Sequence, residues 1–464
     1  MRRIRRSGSG SGPRFTTAPA GHSRRRRRLA GLAGLVLAPL LALAPTGATA
    51  DGVWLDTPPL QTPRAGLAAA PAPCPPGLRQ TCVYAFGGVT PDGLTHTVEA
   101  YSPATNAWVS LAPLPTARTG LAGKAAPCPE SVKKKTCVYA IGGSVDRVAQ
   151  ATVEAYNPAA NTWITVRPMP TPRRDLGAAP AQCPKGYGLR GACVYAVGGS
   201  TDADPAVDTV EAYSPATGTW ARLPHLRTAR TRLAVASAPC PEAPGLRGLC
   251  VYAFGGRNAA GFSLPTVEVY SPVTNAWISL RPMSVARDSF AVAPAPCSDG
   301  LRGRCLYVFG GERRDTAVTL LNSVEEYSPN ADTWSILPPL RTARDLLAVA
   351  SAACPKTSKG VCLYPLGGFT TAGPPFLLTD SAEALDIKHE LAPARPALGE
   401  RPYGGGGGKP GAAQGGWEQG GRPGGPQQGS RDQRSDSRPD NGRADAGVND
   451  LDDAGTGRSG PLAG

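Results

Sequence analysis

The amino-acid sequence predicts an all-β fold, a six-bladed β-propeller made of four-stranded antiparallel blades. One frame of residues recurs six times, and successive double glycines in it are 55 to 57 residues apart. Each repeat also divides into four short segments with the character of β-strands. Four-stranded units at a period near 50 residues are typical of propeller blades arranged around a common axis.

Each repeat begins with an Arg, and a Cys follows ten residues later. A second Cys comes eight to ten residues further on, and a Gly-Gly pair starts five residues after it. In five repeats a Val-Glu-x-Tyr segment is next, with a Trp seven residues beyond its Tyr. The six arginines are Arg64, Arg118, Arg173, Arg230, Arg287 and Arg344.

The four segments of a repeat each have a recognisable composition. The first, such as Arg232–Cys240, consists of small apolar residues, and the second, such as Cys250–Gly256, ends on two glycines that permit unusual backbone angles. The third, Thr266–Pro272, is expected to expose its Glu and turn its Tyr inward, and the fourth begins at Trp277. Turn residues between the segments predict tight connections.

A double glycine followed by Tyr and Trp at these intervals resembles the kelch repeat, over about residues 52–390. The resemblance implies a six-bladed propeller in which the first strand of each repeat is innermost. The compositions agree with this order, because space narrows toward the axis and the first strands are rich in Ala and Gly. The bulky Trp then lies on the outermost strand.

The sixth repeat ends before any Trp, and its third strand carries Leu385 in the Tyr position. A blade without its outer strand would expose a sheet edge. The stretch Asp51–Arg64 supplies the missing strand, since Trp54 precedes Arg64 by ten residues, as in the complete repeats. We therefore expect an N-terminal strand to join the last blade and close the ring.

Residues 1–50 have the three parts of an export signal: the basic run Arg24–Arg28, the apolar run Leu29–Pro45 and an Ala-x-Ala site ending at Ala50. The alternative is an uncleaved membrane anchor, for which this run, broken by Pro39, is short. The expected domains are the signal (1–50), the propeller (51–395) and a disordered tail (396–464) rich in Gly, Pro, Arg and Asp.

The predicted signal places the mature protein in an oxidising compartment, as a secreted, periplasmic or cell-surface protein. We expect a monomer with no membrane insertion after signal cleavage. The formal net charge is +14, but residues 1–50 carry ten arginines and no acids, while residues 51–400 carry 31 Lys and Arg against 27 Asp and Glu. This balance argues against a nucleic-acid partner.

All twelve cysteines belong to the six repeat pairs, and each pair brackets the turn between a first and a second strand. In an exported protein this pattern indicates six local disulfides with a structural role. Zinc ligand pairs are usually two to four residues apart, and no His accompanies these pairs, so no metal is expected. The pairs are Cys74–Cys82, Cys128–Cys137, Cys183–Cys193, Cys240–Cys250, Cys297–Cys305 and Cys354–Cys362.

The six repeat arginines enter the innermost strands at the end of the propeller that also carries the variable segments after each Gly-Gly. They are the candidate ligand-binding residues, forming an anion-selective channel mouth for an acidic peptide or a glycan. The alternative is structural, because six glutamates recur in the third strands and each could neutralise an Arg. These are Glu99, Glu154, Glu211, Glu268, Glu325 and Glu383.

The leading function is therefore an exported, non-catalytic recognition module, with a protein or glycan as partner. Two alternatives stay open: a sugar mutarotase resembling a six-bladed sialic acid epimerase, and a structural cell-surface protein. A copper oxidase is disfavoured, because His96, His225 and His389 fall in different blades. No residue identifies itself as catalytic, and no cofactor is expected.

Overall fold

The computed structural model describes residues 52–387, except for 133–134, 243–245, 299–302 and 356–359. The predicted export signal and the predicted tail lie outside the described residues. Within them, the chain forms six four-stranded antiparallel sheets, which are the six blades of a propeller. No helix in this part of the chain is long and apolar enough to cross a membrane.

The strands follow the chain in order, beginning with β1 (Val53–Asp56). Blade 1 comprises β2 (Ala68–Pro73), β3 (Thr81–Phe86), a small hairpin of β4 (Val89–Thr90) and β5 (Gly93–Leu94), then β6 (Val98–Ser102) and β7 (Ala107–Ser110). Blade 2 comprises β8 (Ala122–Pro127), a 3-10 turn at Glu130–Val132, β9 (Thr136–Ile141), the hairpin β10 (Ser144–Val145) and β11 (Val148–Ala149), β12 (Val153–Asn157) and β13 (Thr162–Thr165).

Blades 3 and 4 have no such hairpin. Blade 3 comprises β14 (Gly177–Gln182), β15 (Ala192–Val197), β16 (Val210–Ser214) and β17 (Thr219–Leu223). Blade 4 comprises β18 (Ala234–Pro239), β19 (Leu249–Phe254), β20 (Val267–Ser271) and β21 (Ala276–Leu280).

The last two blades complete the ring. Blade 5 comprises β22 (Ala291–Pro296), β23 (Arg304–Phe309), the hairpin β24 (Glu312–Arg314) and β25 (Val318–Leu320), β26 (Val324–Ser328) and β27 (Thr333–Leu337). Blade 6 comprises β28 (Ala348–Ala353), β29 (Val361–Leu366), β30 (Glu383–Asp386) and, as its outer strand, β1.

The ring closes as the sequence predicts, through β1. This strand pairs with β30 in antiparallel register, with Trp54 opposite Leu385 and Asp56 opposite Glu383. The indole Nε1 of Trp54 also donates to the carbonyl of Pro338, which follows blade 5, at 3.3 Å. An edge that would otherwise present unpaired backbone groups is thereby covered by the first described strand of the chain.

Small residues on the six innermost strands let the blades approach one another near the axis, and the tryptophans lie at the periphery. In blade 6 Trp54 lies opposite Leu385, whereas in blades 1 to 5 the outer-strand Trp packs on the Tyr of its own blade, as in the pair Tyr101–Trp108 with ring centroids 5.4 Å apart. Its indole nitrogen donates to a backbone carbonyl preceding that blade, for example from Trp108 to Pro58 at 2.9 Å. The outer strands therefore bond neighbouring blades together.

All six predicted disulfides are present, and the described cysteines include none that is free. The paired Cα atoms are 4.8 to 4.9 Å apart, which suits opposed residues on antiparallel strands. We call the end of the propeller that carries these hairpins the disulfide face. The opposite end, with the segments after each Gly-Gly, is the loop face.

Candidate functional site

The six repeat arginines lie at the loop face, but none of them reaches its surface. Each guanidinium is fully buried and ion-paired with the recurring glutamate of its own blade. The distances include 2.5 Å for Arg118–Glu154 and 2.7 Å for Arg173–Glu211. The expectation that the third-strand glutamates are exposed is wrong, because the arginines draw them inside.

Arg118 shows what this pairing does for a blade. Its Nε donates to the carbonyl of Gly142 at 2.7 Å, and its Nη2 donates to Ala140 at 3.1 Å, so it binds the end of β9. Its Nη1 donates to Glu154 on β12. The backbone carbonyl of Arg118 accepts a hydrogen bond from Gly88 of the preceding blade at 2.9 Å. One residue thus joins two strands of its blade to the neighbouring blade.

The Gly-Gly pair is required for this inter-blade bond. Gly88 has a φ of 99°, and a Cβ added there would lie 2.6 Å from the carbonyl oxygen of Ala65.

Burial lowers the pKa of Arg118, while Glu154 opposes that shift, and the pair remains ionic. None of the six guanidinium groups is exposed, and each is neutralised by a glutamate, as the structural alternative expects.

The residue two positions after each repeat Arg forms a closed ring around the axis, which we call the mouth ring. Each backbone N–H donates to the carbonyl of the equivalent residue in the preceding blade, at 2.7 to 3.0 Å, so six hydrogen bonds complete the circle. All six residues have a φ between 49° and 62°. The mouth ring comprises Gly66, Gly120, Asp175, Arg232, Ser289 and Leu346.

The mouth ring differs chemically from one side to the other. Blades 1 and 2 contribute glycines, whereas blades 3 to 6 contribute an acid, a base, a hydroxyl and a leucine. The next residue inward is large and apolar in every blade, and together these side chains narrow the channel below the ring. They are Leu67, Leu121, Leu176, Leu233, Phe290 and Leu347.

A cluster of charged side chains lies beside the ring on blades 4 to 6, and we call it the charged cluster: Arg232, Arg257, Asp288, Glu312 and Asp345. Arg257 grips the Asp288 carboxylate with two nitrogens, at 2.6 and 3.2 Å, and also binds Glu312. Arg232 makes only long ion-pair contacts, 3.6 Å to Glu312 and 3.8 Å to Asp175 on the ring.

Arg232 is the cation of this cluster that is best able to accept a new partner. Its side chain is 30% exposed, and its ion-pair distances are longer than those of a direct charge-assisted hydrogen bond. The repeat arginines, in contrast, are saturated by strong contacts inside their blades. An incoming acidic group could therefore bind Arg232 without breaking a buried pair.

Asp345 carries unusual electrostatics. It is nearly buried, and its Oδ1 has no hydrogen-bond partner among the described residues. Burial, reinforced by the neighbouring charge of Glu312, raises the pKa of Asp345 to about 7. Burial also raises the pKa of Glu312, with Asp288 adding to the shift. The cluster therefore holds one carboxyl group, that of Asp345, whose pKa lies near neutral pH.

Large apolar side chains are exposed at the tips of the loop face. Phe262 follows the Gly-Gly of blade 4, while Phe376 and Leu377 follow that of blade 6, and all three are more than half exposed. Phe376 stacks on Phe369 with ring centroids 5.4 Å apart, and the backbone of Phe369 is bonded to Asp345. On blade 4, Ser263, the neighbour of Phe262, donates to the Asp288 carboxylate at 2.6 Å. The apolar tips and the charged cluster are therefore connected, and together they form one patch on blades 4 to 6.

The structure places the six candidate arginines inside their blades, and their role in ligand binding stays a prediction. The six regular arginines were the visible signal, whereas Arg232, Arg257 and Glu312 occupy frame positions where other blades have unrelated residues. Departure from the repeat at equivalent positions was available in the sequence and could have identified them.

A family model described as the Kelch motif matches five segments, 73–115, 128–170, 191–227, 248–284 and 295–341. This chain is a kelch-repeat protein. The matched segments leave out the blade that is assembled from both ends of the described region, so the kelch propeller has one blade more than the matches.

Kelch-like protein 23 from Homo sapiens is 26% identical over 271 residues, covering 56% of this chain and 40% of the relative. Beta-scruin from Limulus polyphemus is 27% identical over 266 residues, covering 54% and 26%. The chain therefore spans less than half the length of these curated relatives. The solved structure of YjhT aligns at a TM-score of 0.50 and 14% identity, over 72% of this chain and 98% of that one, a likeness of fold.

A kelch propeller suggests a non-catalytic protein-interaction module, since kelch proteins generally bind protein partners. The six disulfides indicate an oxidising environment for the folded protein. Neither finding identifies the partner, and the character of the loop face is the basis for the proposal that follows.

Proposed function

We propose that this kelch propeller is an exported module that binds an acidic segment of a protein partner on its loop face. The observation that carries the proposal is the continuous patch on blades 4 to 6. Exposed aromatic and aliphatic tips flank a charged cluster there, and such a combination is typical of protein interfaces, whose affinity depends on a few large side chains.

The apolar tips and the charged cluster of the patch would contact different groups of the partner. Phe262, Phe376 and Leu377 offer apolar area that water must leave when a partner docks. Arg232 offers a partly exposed guanidinium for an acidic side chain, while the repeat arginines hold the loops in place from beneath. The buried Arg–Glu pairs inside the blades thus support loops whose sequences are free to vary.

The proposal is tested by selecting peptides from a displayed library on the purified protein. The affinity of the selected peptides is then measured for the parent protein and for three variants. We expect Phe262→Ala combined with Phe376→Ala to weaken binding at least tenfold, and Arg232→Ala to weaken chiefly the acidic peptides and reduce their salt dependence. The matched control is Ile336→Ala, an exposed apolar residue on the outer strand of blade 5.

Selected peptides that bind the loop-face variants and the Ile336→Ala control equally well would refute the proposal. Thermal unfolding of each variant shows whether the fold is intact. These side chains are exposed, so we expect changes within about 0.5 kcal/mol for the substitutions of the loop tips.

Asp345 favours a second candidate function, a sugar mutarotase. A carboxyl group with a pKa near 7 beside Arg232 is suited to exchange a proton with a sugar hydroxyl at neutral pH. The test is NMR exchange between the anomeric signals of acidic and neutral sugars. Exchange above the buffer rate that is lost in Asp345→Asn would support the enzyme, and exchange at the buffer rate would exclude it for those sugars.

A further inference from the structure

Lys124 breaks the pattern of the innermost strands. It lies on β8, opposite Tyr139 of β9. In every other blade the residue opposite the corresponding Tyr is an alanine. These alanines are Ala70, Ala179, Ala236, Ala293 and Ala350. A long cationic side chain therefore occupies one of six positions that otherwise carry a methyl group.

Lys124 lines two cavities along the axis of the propeller. One, of about 100 Å³, lies toward the mouth ring and is walled by Ala, Gly, Val, Leu and Phe side chains. The other, of about 130 Å³, lies toward the disulfide face. Because Lys124 borders both, it lies where the two halves of the channel meet.

The second cavity contains donors and no acid. Its polar side chains are Lys124, Ser237, Ser351 and Arg304, and the remainder are Ala, Pro and Val. Among the described residues, no carboxylate lines either cavity and none is within ion-pair distance of Lys124. The ammonium thus has no counter-charge from its surroundings.

Lys124 is partly buried, and an ammonium that is partly withdrawn from water without a counter-charge is costly. Burial lowers the pKa of Lys124 to about 8, so the group is still mostly protonated at neutral pH. A small anion that enters the channel would supply the missing charge. It would also accept hydrogen bonds from the hydroxyl groups of Ser237 and Ser351, which line the same cavity.

We propose that the disulfide-face half of the central channel binds a small monocarboxylate, with its carboxylate on Lys124 and its short apolar part against the Ala and Pro walls. A single negative charge matches the Lys124 ammonium, because Arg304, the other cation of the lining, is exposed to solvent. Phosphate or sulfate would bring further charge against walls that are mainly Ala and Pro. The walls give the apolar part of the anion a place that a simple halide would not use.

Entry to this site is from the disulfide face. The residue after each Lys124-equivalent position is only half-buried, and these six residues border the open end. They are Pro71, Ala125, Pro180, Ser237, Pro294 and Ser351. At the other end, the mouth ring and the apolar side chains beneath it narrow the passage. The site is thus independent of the proposed protein-binding face.

The experiment uses the full-length protein labelled with ¹³C at lysine Cε, titrated with pH and then with acetate and with propionate. The signal missing from Lys124→Ala identifies Lys124, and this variant is expected to fold because alanine is what the other five blades carry. We expect Lys124 to titrate below the surface lysines, and each carboxylate to raise its midpoint, with a Kd of about 1 mM.

The matched control is Lys185→Ala, an exposed lysine on the disulfide face. We expect Lys124→Ala to weaken propionate binding at least tenfold and Lys185→Ala to leave it unchanged. Binding should also weaken as the pH rises past the Lys124 midpoint. A carboxylate that leaves the Lys124 signal unmoved, or that binds Lys124→Ala as tightly as the parent, would overturn the proposal, as would chloride competing on equal terms with propionate.

Discussion

Two sets of arginines lie at the loop face, and they differ in recurrence, burial and ion-pair partners. The repeat arginines recur in all six blades, are fully buried and each bind a glutamate of their own blade. Arg232 and Arg257 occur once each, are partly exposed and share acids from neighbouring blades. Arginines that recur in every blade therefore stabilise the scaffold. Arginines that occur in one blade only are the ones with freedom to contact a partner.

The same contrast holds for the whole propeller. Its frame repeats the same contacts from blade to blade: Arg with Glu, Tyr with Trp, and Cys with Cys. Its loop face is asymmetric, with glycines on blades 1 and 2 and charge on blades 4 to 6. We therefore expect substitutions in the frame to change stability, and substitutions on the loop face to change binding or protonation.

The largest expected effect on the frame comes from deleting β1, Val53–Asp56. The deletion removes the outer strand of blade 6 and leaves β30 as an open edge. We expect the melting temperature to fall by on the order of 10 °C or more and the product to be cleaved rapidly by proteases. The control is Val53→Ser, a partly exposed position on the same strand. A deletion variant as resistant as its parent would contradict the circular closure.

The next largest effect separates the two sets of arginines directly. Arg118→Met leaves Glu154 buried without its partner, and we expect a loss of about 3–5 kcal/mol in unfolding free energy. Arg232→Ala, on the partly exposed side of the comparison, should cost less than about 1 kcal/mol. Denaturant unfolding of both variants measures the difference.

A double variant, Arg118→Met with Glu154→Leu, removes the uncompensated charge and should recover most of that loss. Equal costs for Arg118→Met and Arg232→Ala would mean that the recurrent arginines are not the structural set.

The smallest effect concerns protonation at the loop face. Because the pKa of Asp345 is raised to about 7 in the folded protein, while an unfolded Asp titrates near 4, the folded state binds the proton more strongly between these values. Stability contributed by this group is full below about pH 4 and is lost as the pH rises through 7.

Asp345→Asn removes that dependence. We expect the variant to be more stable than the parent by about 2–4 kcal/mol above pH 8, and equal to it below about pH 4. Thermal unfolding across this range is the measurement. A difference between the two proteins that does not change with pH would show that Asp345 titrates normally.

The repeat made the frame predictable from the sequence. The recurrence of a Cys pair in every repeat, such as Cys74 and Cys82, predicted the disulfides, and the position of Trp54 predicted which strand completes blade 6; both are confirmed by the structure. Such predictions work because each depends on local spacing or on an incomplete unit. They need no knowledge of how loops from different blades meet.

The loop face could not be predicted in the same way. Arg257, Asp288 and Glu312 are 24 to 55 residues apart and come together only through the packing of blades 4 and 5. The burial of the repeat arginines was likewise undecided, because a guanidinium at the start of an innermost strand can turn into its blade or toward the axis. Six internal glutamates decide between these directions.

Because backbone hydrogen bonds close the mouth ring by themselves, the residues at its six positions are exchangeable without breaking the circle. An ordinary residue at a φ near 55° costs roughly 1 kcal/mol, and Asn or Asp costs less. At Gly120 a new Cβ would meet only the side-chain oxygen of Asp175, which can rotate away. A protein engineer could therefore recompose this aperture residue by residue, reversing its polarity or size, while the scaffold that holds it stays as it is.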